Sequence, residues 1–179
     1  SSDVCSSDLA WYINYSKDGF YTFDRLAKQY PDLADRILVF KDFVNDQRTV
    51  YDDSGHGTHV CGILAGDGSA SAGKFRGIAP QAGLVVGKVL DQNGDGSIED
   101  MVKGLNWILD CKDQYRIRIL NISVGVGDLK DPTKEWRLMR KFEEVWKSGI
   151  LIVCAAGNKG PENETISSIG MRDRKSTRL

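Results

Sequence analysis

A histidine between two glycines is the residue of this chain best placed to do chemistry. His56 stands in the run D-D-S-G-H-G-T-H-V-C-G (residues 52–62), at the predicted start of a helix. A histidine can take a proton from a hydroxyl group and return it to a leaving amine near neutral pH. Glycines on both sides allow other backbones to come close to the imidazole. The pattern therefore predicts a general base that meets its substrate at close range.

An amide side chain near the end of the chain is the second candidate. The run I-V-C-A-A-G-N-K-G (residues 152–160) places Asn158 at the end of a predicted buried strand. An amide in that position can donate a hydrogen bond into a cleft, and acyl transfer needs such donors where negative charge develops on oxygen. Asn158 is therefore a candidate oxyanion donor.

Alternating strands and helices are predicted to position these residues. Apolar runs predict strands, and apolar stripes at helical spacing predict helices. In chain order the predicted elements are a strand at 37–40 with 43–44, a helix at 56–65, a strand at 84–90, a helix from 98, a strand at 117–122, a helix from 132 and a strand at 150–156. The near-continuous apolar strands favour a mainly parallel sheet covered on both faces, which is a three-layer α/β/α fold. Sites in such folds lie beyond the carboxyl ends of the strands.

The two longer helices carry clear end signals. Ser97 with Asp100 resembles a capping box, and Asp131 precedes a proline at the first helical position. Gly149 is placed to end the last helix. The apolar face of that helix is predicted to carry Trp136, Met139, Phe142, Val145 and Trp146.

The runs around His56 and Asn158, S-G-H-G-T-H-V-x-G and A-A-G-N-x-G, together resemble the catalytic-histidine and oxyanion-hole motifs of the subtilisin-like serine proteases (subtilases). The resemblance covers roughly residues 31–170. It implies a serine-type endopeptidase that hydrolyses peptide bonds through an acyl-enzyme. His56 would be general base and general acid, and Asn158 would stabilise the oxyanion.

The same resemblance assigns two loops to peptide binding. N-I-S-V-G (residues 121–125) ends a predicted strand, where main-chain groups can pair with an extended peptide. G-D-G (residues 94–96) resembles the other side of the family's peptide clamp. The implied substrate-binding residues are Gly94, Asp95, Gly96, Ser123, Val124 and Gly125.

The orienting carboxylate and the nucleophile are less clear. Subtilases carry an Asp in a D-T-G or D-S-G run shortly before a P-D-L-like segment, which is present here as residues 31–33. Asp24 lies at a suitable distance before it, but Arg25 and Leu26 replace the usual small residues; Asp18 is the weaker alternative. The family's serine motif, G-T-S-x-A, does not occur in the chain. We therefore expect this chain to be inactive by itself.

Metal and cofactor chemistry is not indicated. His56 and His59 are three residues apart with no glutamate between them, unlike the helices of metalloproteases. An EF-hand that began at Asp91 would need a glutamate where Val102 stands. The implied reaction needs no cofactor. Calcium is common in subtilases, but no motif here locates it. His59 is expected to be a hydrogen-bonded histidine of the core.

Composition limits the partners. With 24 basic and 25 acidic residues, the net charge of −1 does not favour nucleic acid or an anionic membrane, and no apolar run is long enough to span a bilayer. A peptide or protein substrate is the expected partner. The resemblance alone favours an extracellular location.

Of the four cysteines, Cys61 and Cys154 lie in apolar segments and are expected to be small buried hydrophobic residues.

Both ends of the chain look foreign to the domain. Residues 1–9 repeat S-S-D, and residues 172–179 follow an apolar segment abruptly. We expect a partial subtilisin-like peptidase domain over residues 10–171, with artefactual ends. The altered region around Asp24 leaves an alternative open, in which the natural protein is a non-catalytic subtilase-like domain that binds peptides.

Overall fold

The computed structural model describes residues 30–124 and 131–155, and the backbone of residues 9–11. Within this part of the chain, five strands form one sheet in the order β2-β3-β1-β4-β5, and every neighbouring pair is parallel. The strands are β1 (Leu9–Trp11), β2 (Ile37–Asp42), β3 (Leu84–Lys88), β4 (Ile119–Ile122) and β5 (Leu151–Cys154). The prediction of a parallel sheet is confirmed.

Strand β3 is buried from end to end because the sheet is covered on both faces. Successive side chains of a strand point to opposite faces. Val85 accordingly belongs to one hydrophobic cluster, while Leu84 and Val86 belong to another. Two clusters on opposite faces of one sheet give the three layers that the sequence predicts.

The first cluster lies beneath helices α2 (Ile98–Tyr115) and α3 (Pro132–Lys147), which pack against each other. Leu105 and Ile108 of α2 are fully buried against Leu138 and Val145 of α3 and Leu120 of β4. The second cluster lies beneath α1 (His56–Ala65). Its buried members are Leu33, Tyr51, Cys61, Ala65, Leu84 and Val86.

The predicted helix ends are confirmed. The Ser97 side chain accepts a hydrogen bond from the Asp100 N–H at 3.0 Å, and the Asp131 side chain accepts one from the Thr133 N–H at 2.9 Å. Gly149 follows the last residues of α3 at φ +90°, a backbone conformation that glycine adopts without strain. These local signals fix where α2 and α3 begin and where α3 ends.

The predicted strand ends differ from the observed ones by one or two residues. β2 ends at Asp42 and β3 at Lys88, so residues 43–44 and 89–90 lie beyond the strands. β1 was not predicted, and it begins at Leu9, the last residue of the segment that sequence analysis set aside as foreign. The proposed domain boundaries stay a prediction.

The prediction for the apolar face of α3 was partly wrong. Trp136 and Trp146 are 61% and 51% exposed, whereas Leu138, absent from the predicted set, is fully buried. Leu138 and Val145 are seven residues apart and therefore share the face that meets the cluster. Trp136 lies two residues from Leu138, which turns it about 200° away. It instead lies under the guanidinium of Arg140, 5.5 Å from the ring centroid.

The described cysteines are free thiols. Cys61 is fully buried, which confirms its prediction, while Cys154 is half-buried. Burial raises the pKa of the Cys61 thiol far above its usual range and that of Cys111 to about 11. Among the helices of the described residues, none has the length and apolar character needed to cross a bilayer.

Two substitutions on α3 test which face meets the core. Leu138→Ala removes a fully buried side chain and should lower the free energy of unfolding by about 2–5 kcal/mol. Trp136→Ala removes a larger but exposed side chain and should change it by only about 0.5 kcal/mol. Urea denaturation of the two variants provides the measurement. Equal losses would contradict the observed orientation of α3.

Thiol modification tests the burial of the cysteines. At pH 8 a thiol with a pKa of about 11 is thiolate in roughly one molecule in a thousand, and the thiolate is the reactive form. We therefore expect Cys61 and Cys111 to resist iodoacetamide in the native chain and to react in urea, as peptide mass mapping would show. Rapid native labelling of either residue would argue against this packing.

Candidate active site

The carboxyl ends of the parallel strands share one edge of the sheet, and the candidate site lies there. Asp42 ends β2, Lys88 ends β3, and the two residues are register partners. The segment that leads to His56 reaches the same edge, because the Asp53 carboxylate lies 3.4 Å from the Lys88 ammonium. Ser123 follows the carboxyl end of β4 directly. The structure thus brings the histidine segment and one predicted binding loop to a common edge.

His56 is exposed at the first position of α1. Its backbone N–H donates to Ser54 Oγ at 3.4 Å. Gly55 before it has φ +79°, a left-handed backbone conformation that glycine adopts without strain where the chain turns into the helix. Gly57 after it is buried. The imidazole is therefore accessible to a substrate while the backbone on either side is fixed.

Asp52 organises the turn that carries His56. One carboxylate oxygen accepts hydrogen bonds from the N–H groups of Ser54, at 2.9 Å, and Gly55. The other accepts from the Thr58 N–H, at 3.3 Å, and from the Thr58 hydroxyl. A carboxylate at a helix N-terminus is stabilised by the unpaired N–H groups and the helix dipole. Sequence analysis did not assign this role, although an Asp just before a helix is a capping signal.

A buried polar network joins the preceding residues to the strand ends. The Tyr51 hydroxyl donates to the carboxylate of Asp42, which also accepts from the N–H of Val44 at 2.9 Å. Burial and this hydrogen bond raise the pKa of Tyr51. The ammonium of the fully buried Lys88 lies 5.3 Å from the centre of the Tyr51 ring. Sequence analysis missed this network because its members are far apart in the chain.

His59 is not a core residue, so that prediction was wrong. It is exposed and lines an open groove of about 470 Å³ with Leu33, Ile63 and Phe75. A spacing of three residues places it on the same side of α1 as His56. The face of α1 that packs on the sheet is formed instead by the small residues Gly57, Cys61 and Ala65.

The loop after β3 is stabilised by its own aspartate. Asp91 Oδ1 accepts from the N–H groups of Asn93, at 2.8 Å, and Asp95, at 3.0 Å, and these hydrogen bonds lower the pKa of Asp91. Gly94 and Asp95 are exposed at the tip. A Cβ at Gly96 would lie 2.6 Å from the Val89 carbonyl oxygen, so only glycine fits there. The loop therefore presents its backbone and the Asp95 carboxylate to solvent.

The other predicted binding loop is partly described. Ser123 is half-buried, and its Oγ accepts from the Asn121 side-chain amide at 2.6 Å. Val124 is buried in the first cluster, so its side chain points away from solvent. Asp24, Gly125 and Asn158 lie outside the described residues, and their roles stay predictions. Across the described ranges, no three His, Cys, Asp or Glu side chains are placed to hold a metal ion.

Comparison with known proteins identifies the family. The sequence model of the subtilase family, Peptidase_S8, matches residues 24–173. The chain belongs to the subtilase family. Asp24, His56 and Asn158 all fall within the matched residues. The resemblance seen in the motifs is therefore confirmed.

Relatives and solved structures agree with this assignment. Serine protease AprX of Bacillus subtilis is 40% identical over 149 residues, which are 81% of this chain and 34% of that protein. Thermitase of Thermoactinomyces vulgaris is 32% identical over 137 residues, 75% of this chain and 45% of that protein. The S41 psychrophilic protease superposes with a TM-score of 0.73 at 25% identity and Sphericase with 0.71 at 26%; each match covers 92% of this chain and about half of the other. The fold is therefore subtilisin-like α/β, and the chain spans between a third and a half of these subtilases.

Replacing Asp52 tests the turn that carries His56. Asp52→Ala leaves the N–H groups of Ser54, Gly55 and Thr58 without their acceptor and should cost about 1–2 kcal/mol of stability. The matched control is Asp113→Ala, since that carboxylate on α2 is 98% exposed. Urea denaturation measures both losses, and amide hydrogen exchange at Gly55 and Thr58 should quicken only in Asp52→Ala. Unchanged exchange at these amides would show that Asp52 does not cap α1.

Proposed function

We propose that the full-length protein is a serine-type endopeptidase that cleaves peptide bonds through an acyl-enzyme. The observation that carries this proposal is the exposed His56 at the start of α1, on a turn fixed by Asp52 and anchored at the carboxyl edge of a parallel sheet. A general base must be reachable by the group that it deprotonates and must be held in place. The turn provides both conditions.

In the proposed reaction, His56 takes the proton of a serine hydroxyl as its oxygen attacks the scissile carbonyl. The imidazolium then gives that proton to the leaving amine, and the acyl-enzyme forms. A water molecule deprotonated by His56 attacks the acyl-enzyme in the second half, which releases the acid product and restores the serine. The serine belongs to a G-T-S-x-A motif that is absent from these 179 residues.

Two further groups would support the base. Asn158 would donate a hydrogen bond to the carbonyl oxygen as it becomes an oxyanion, a contact that strengthens towards the transition state. Asp24 would accept a hydrogen bond from the imidazole and keep its tautomer and direction. Both assignments rest on position within the family match, because neither side chain lies among the described residues.

The substrate would be a peptide in extended conformation. Residues 94–96 and 123–125 would bind it between them, chiefly through main-chain hydrogen bonds as in strand addition. The exposed tip at Gly94 and Asp95 supports this proposal, because its backbone is reachable from solvent. Such binding requires no cofactor. Calcium, if bound by the full-length protein, would act on stability and not in the proton transfers.

The test compares two histidines on one helix in the full-length protein. His56→Ala should abolish labelling by a fluorophosphonate and lower kcat/KM for a peptide substrate by on the order of 10⁴-fold or more, because the serine loses its base. His59→Ala removes a second exposed histidine three residues along and should leave both nearly unchanged. The 179-residue chain itself should not be labelled.

Two results would refute the proposal. One is a folded full-length protein that neither hydrolyses peptides nor reacts with the fluorophosphonate, although it binds an extended peptide. That result would establish the non-catalytic alternative. The other is equal loss of activity in the two histidine variants, which would show that catalysis does not depend specifically on His56.

A further inference from the structure

Lys88 and Asp53 form a buried ion pair beside the candidate site. The Lys88 side chain is 0% exposed and that of Asp53 is 9% exposed, with 3.4 Å between Nζ and Oδ1. Among the described residues this Asp53 oxygen accepts no hydrogen bond, so the ammonium is the group that compensates its charge. A buried charge without a partner is strongly unfavourable. Each of the two groups therefore holds the other in place.

The pair links two segments that are distant in sequence. Lys88 is the last residue of β3, an interior strand of the sheet. Its ammonium also donates to the Leu90 carbonyl and lies over the Tyr51 ring. Asp53 precedes His56 by three residues. The ammonium thus holds the segment before α1 against the carboxyl end of a fully buried strand.

The other side-chain contacts described for this segment act at different places. The four hydrogen bonds of Asp52 reach no further than Thr58, so they fix the shape of the turn and not its place on the sheet. The carboxyl-terminal part of α1 is tied down separately, by hydrogen bonds from the N–H of Ile78 and of Ala79 to carbonyls of the helix. At the amino-terminal end, two side-chain contacts between described residues connect this segment to the strand ends, those of Tyr51 with Asp42 and of Asp53 with Lys88, and the backbone of Asp53 also forms a β-bridge.

We propose that Lys88 is a positioning residue for His56: through Asp53, its ammonium holds the first turn of α1 at the carboxyl edge of the sheet. The proposal rests on the proposed function only in that His56 is taken as the general base. Proton transfer needs donor and acceptor within about 2.6–3.2 Å. A shift of about 1 Å in such a group can lower the rate on the order of 10²-fold.

The kinetic test uses Lys88→Met, Asp53→Asn and the double variant in the full-length protein. Lys88→Met keeps an unbranched side chain and removes the charge. We expect kcat to fall on the order of 10²-fold. KM for a short peptide should change little in Asp53→Asn, which keeps the hydrogen bond of the Lys88 ammonium to the Leu90 carbonyl before the 94–96 loop. The Asp53→Asn variant should show a similar fall, and the double variant should be no worse than either, because both substitutions break one link.

Leu138→Ala is the control for a purely structural effect. It weakens the core beneath α3, away from the second cluster, and should leave kcat of the folded protein unchanged. All variants are assayed well below their melting temperatures. If Lys88→Met fails to fold, the double variant, which leaves no lone charge, replaces it. Wild-type kcat in a folded variant that lacks the pair would overturn the proposal.

A spectroscopic test is independent of activity. In protein labelled at histidine rings, Lys88→Met should shift and broaden the ring signals of His56, and those of His59 should stay unchanged as an internal reference. Leu138→Ala should move neither. An inactive wild-type protein would refute the proposed function and leave this test intact. Unaltered His56 signals in a folded Lys88→Met protein would refute the positioning role by itself.

Discussion

Complete burial of β3 is the constraint on which the other parts of the structure depend. An interior strand of a parallel sheet must find apolar cover on both faces, and Leu84, Val85 and Val86 supply side chains to the two faces. Helix α1 covers one face and the pair α2 and α3 covers the other. The strand must also end, and the residue at its end, Lys88, is as buried as the apolar residues before it. A charge buried at that depth requires polar or oppositely charged groups beside it.

The surroundings of Lys88 show how a hydrophobic scaffold positions a polar site. The aromatic ring of Tyr51, the carboxylate of Asp53 and the carbonyl of Leu90 converge on one ammonium. Its neighbour in register, Asp42, is likewise buried and accepts hydrogen bonds from Tyr51 and from the loop that follows β2. The carboxyl ends of these two adjacent strands therefore carry polar side chains that are hydrogen-bonded or ion-paired. The exposed His56 rests on this support without being part of it.

Local signals in the sequence were sufficient for much of the fold. Helix α2 was predicted because Ser97 and its apolar stripe lie within a few residues of each other, and β3 because four apolar or small residues follow in a row. The motif around His56 was readable because its glycines and its helix are contiguous.

The orientation of α3 was only half predicted, since Trp136 and Leu138 are both apolar and periodicity does not say which of them faces the core. His59 was misassigned for a related reason: a polar residue near a motif was given a packing role that Cys61 and Ala65 fill. The ion pair of Lys88 with Asp53 could not be predicted, because nothing in either residue's neighbourhood identifies a partner 35 positions away.

The anchoring of His56 also has a consequence for the order in which the site is made. Every group described as fixing the turn, from Asp42 to Lys88, belongs to one contiguous stretch of the chain. The predicted oxyanion donor, Asn158, comes 70 residues after Lys88. A ribosome therefore completes the support of the proposed base well before it adds this predicted donor.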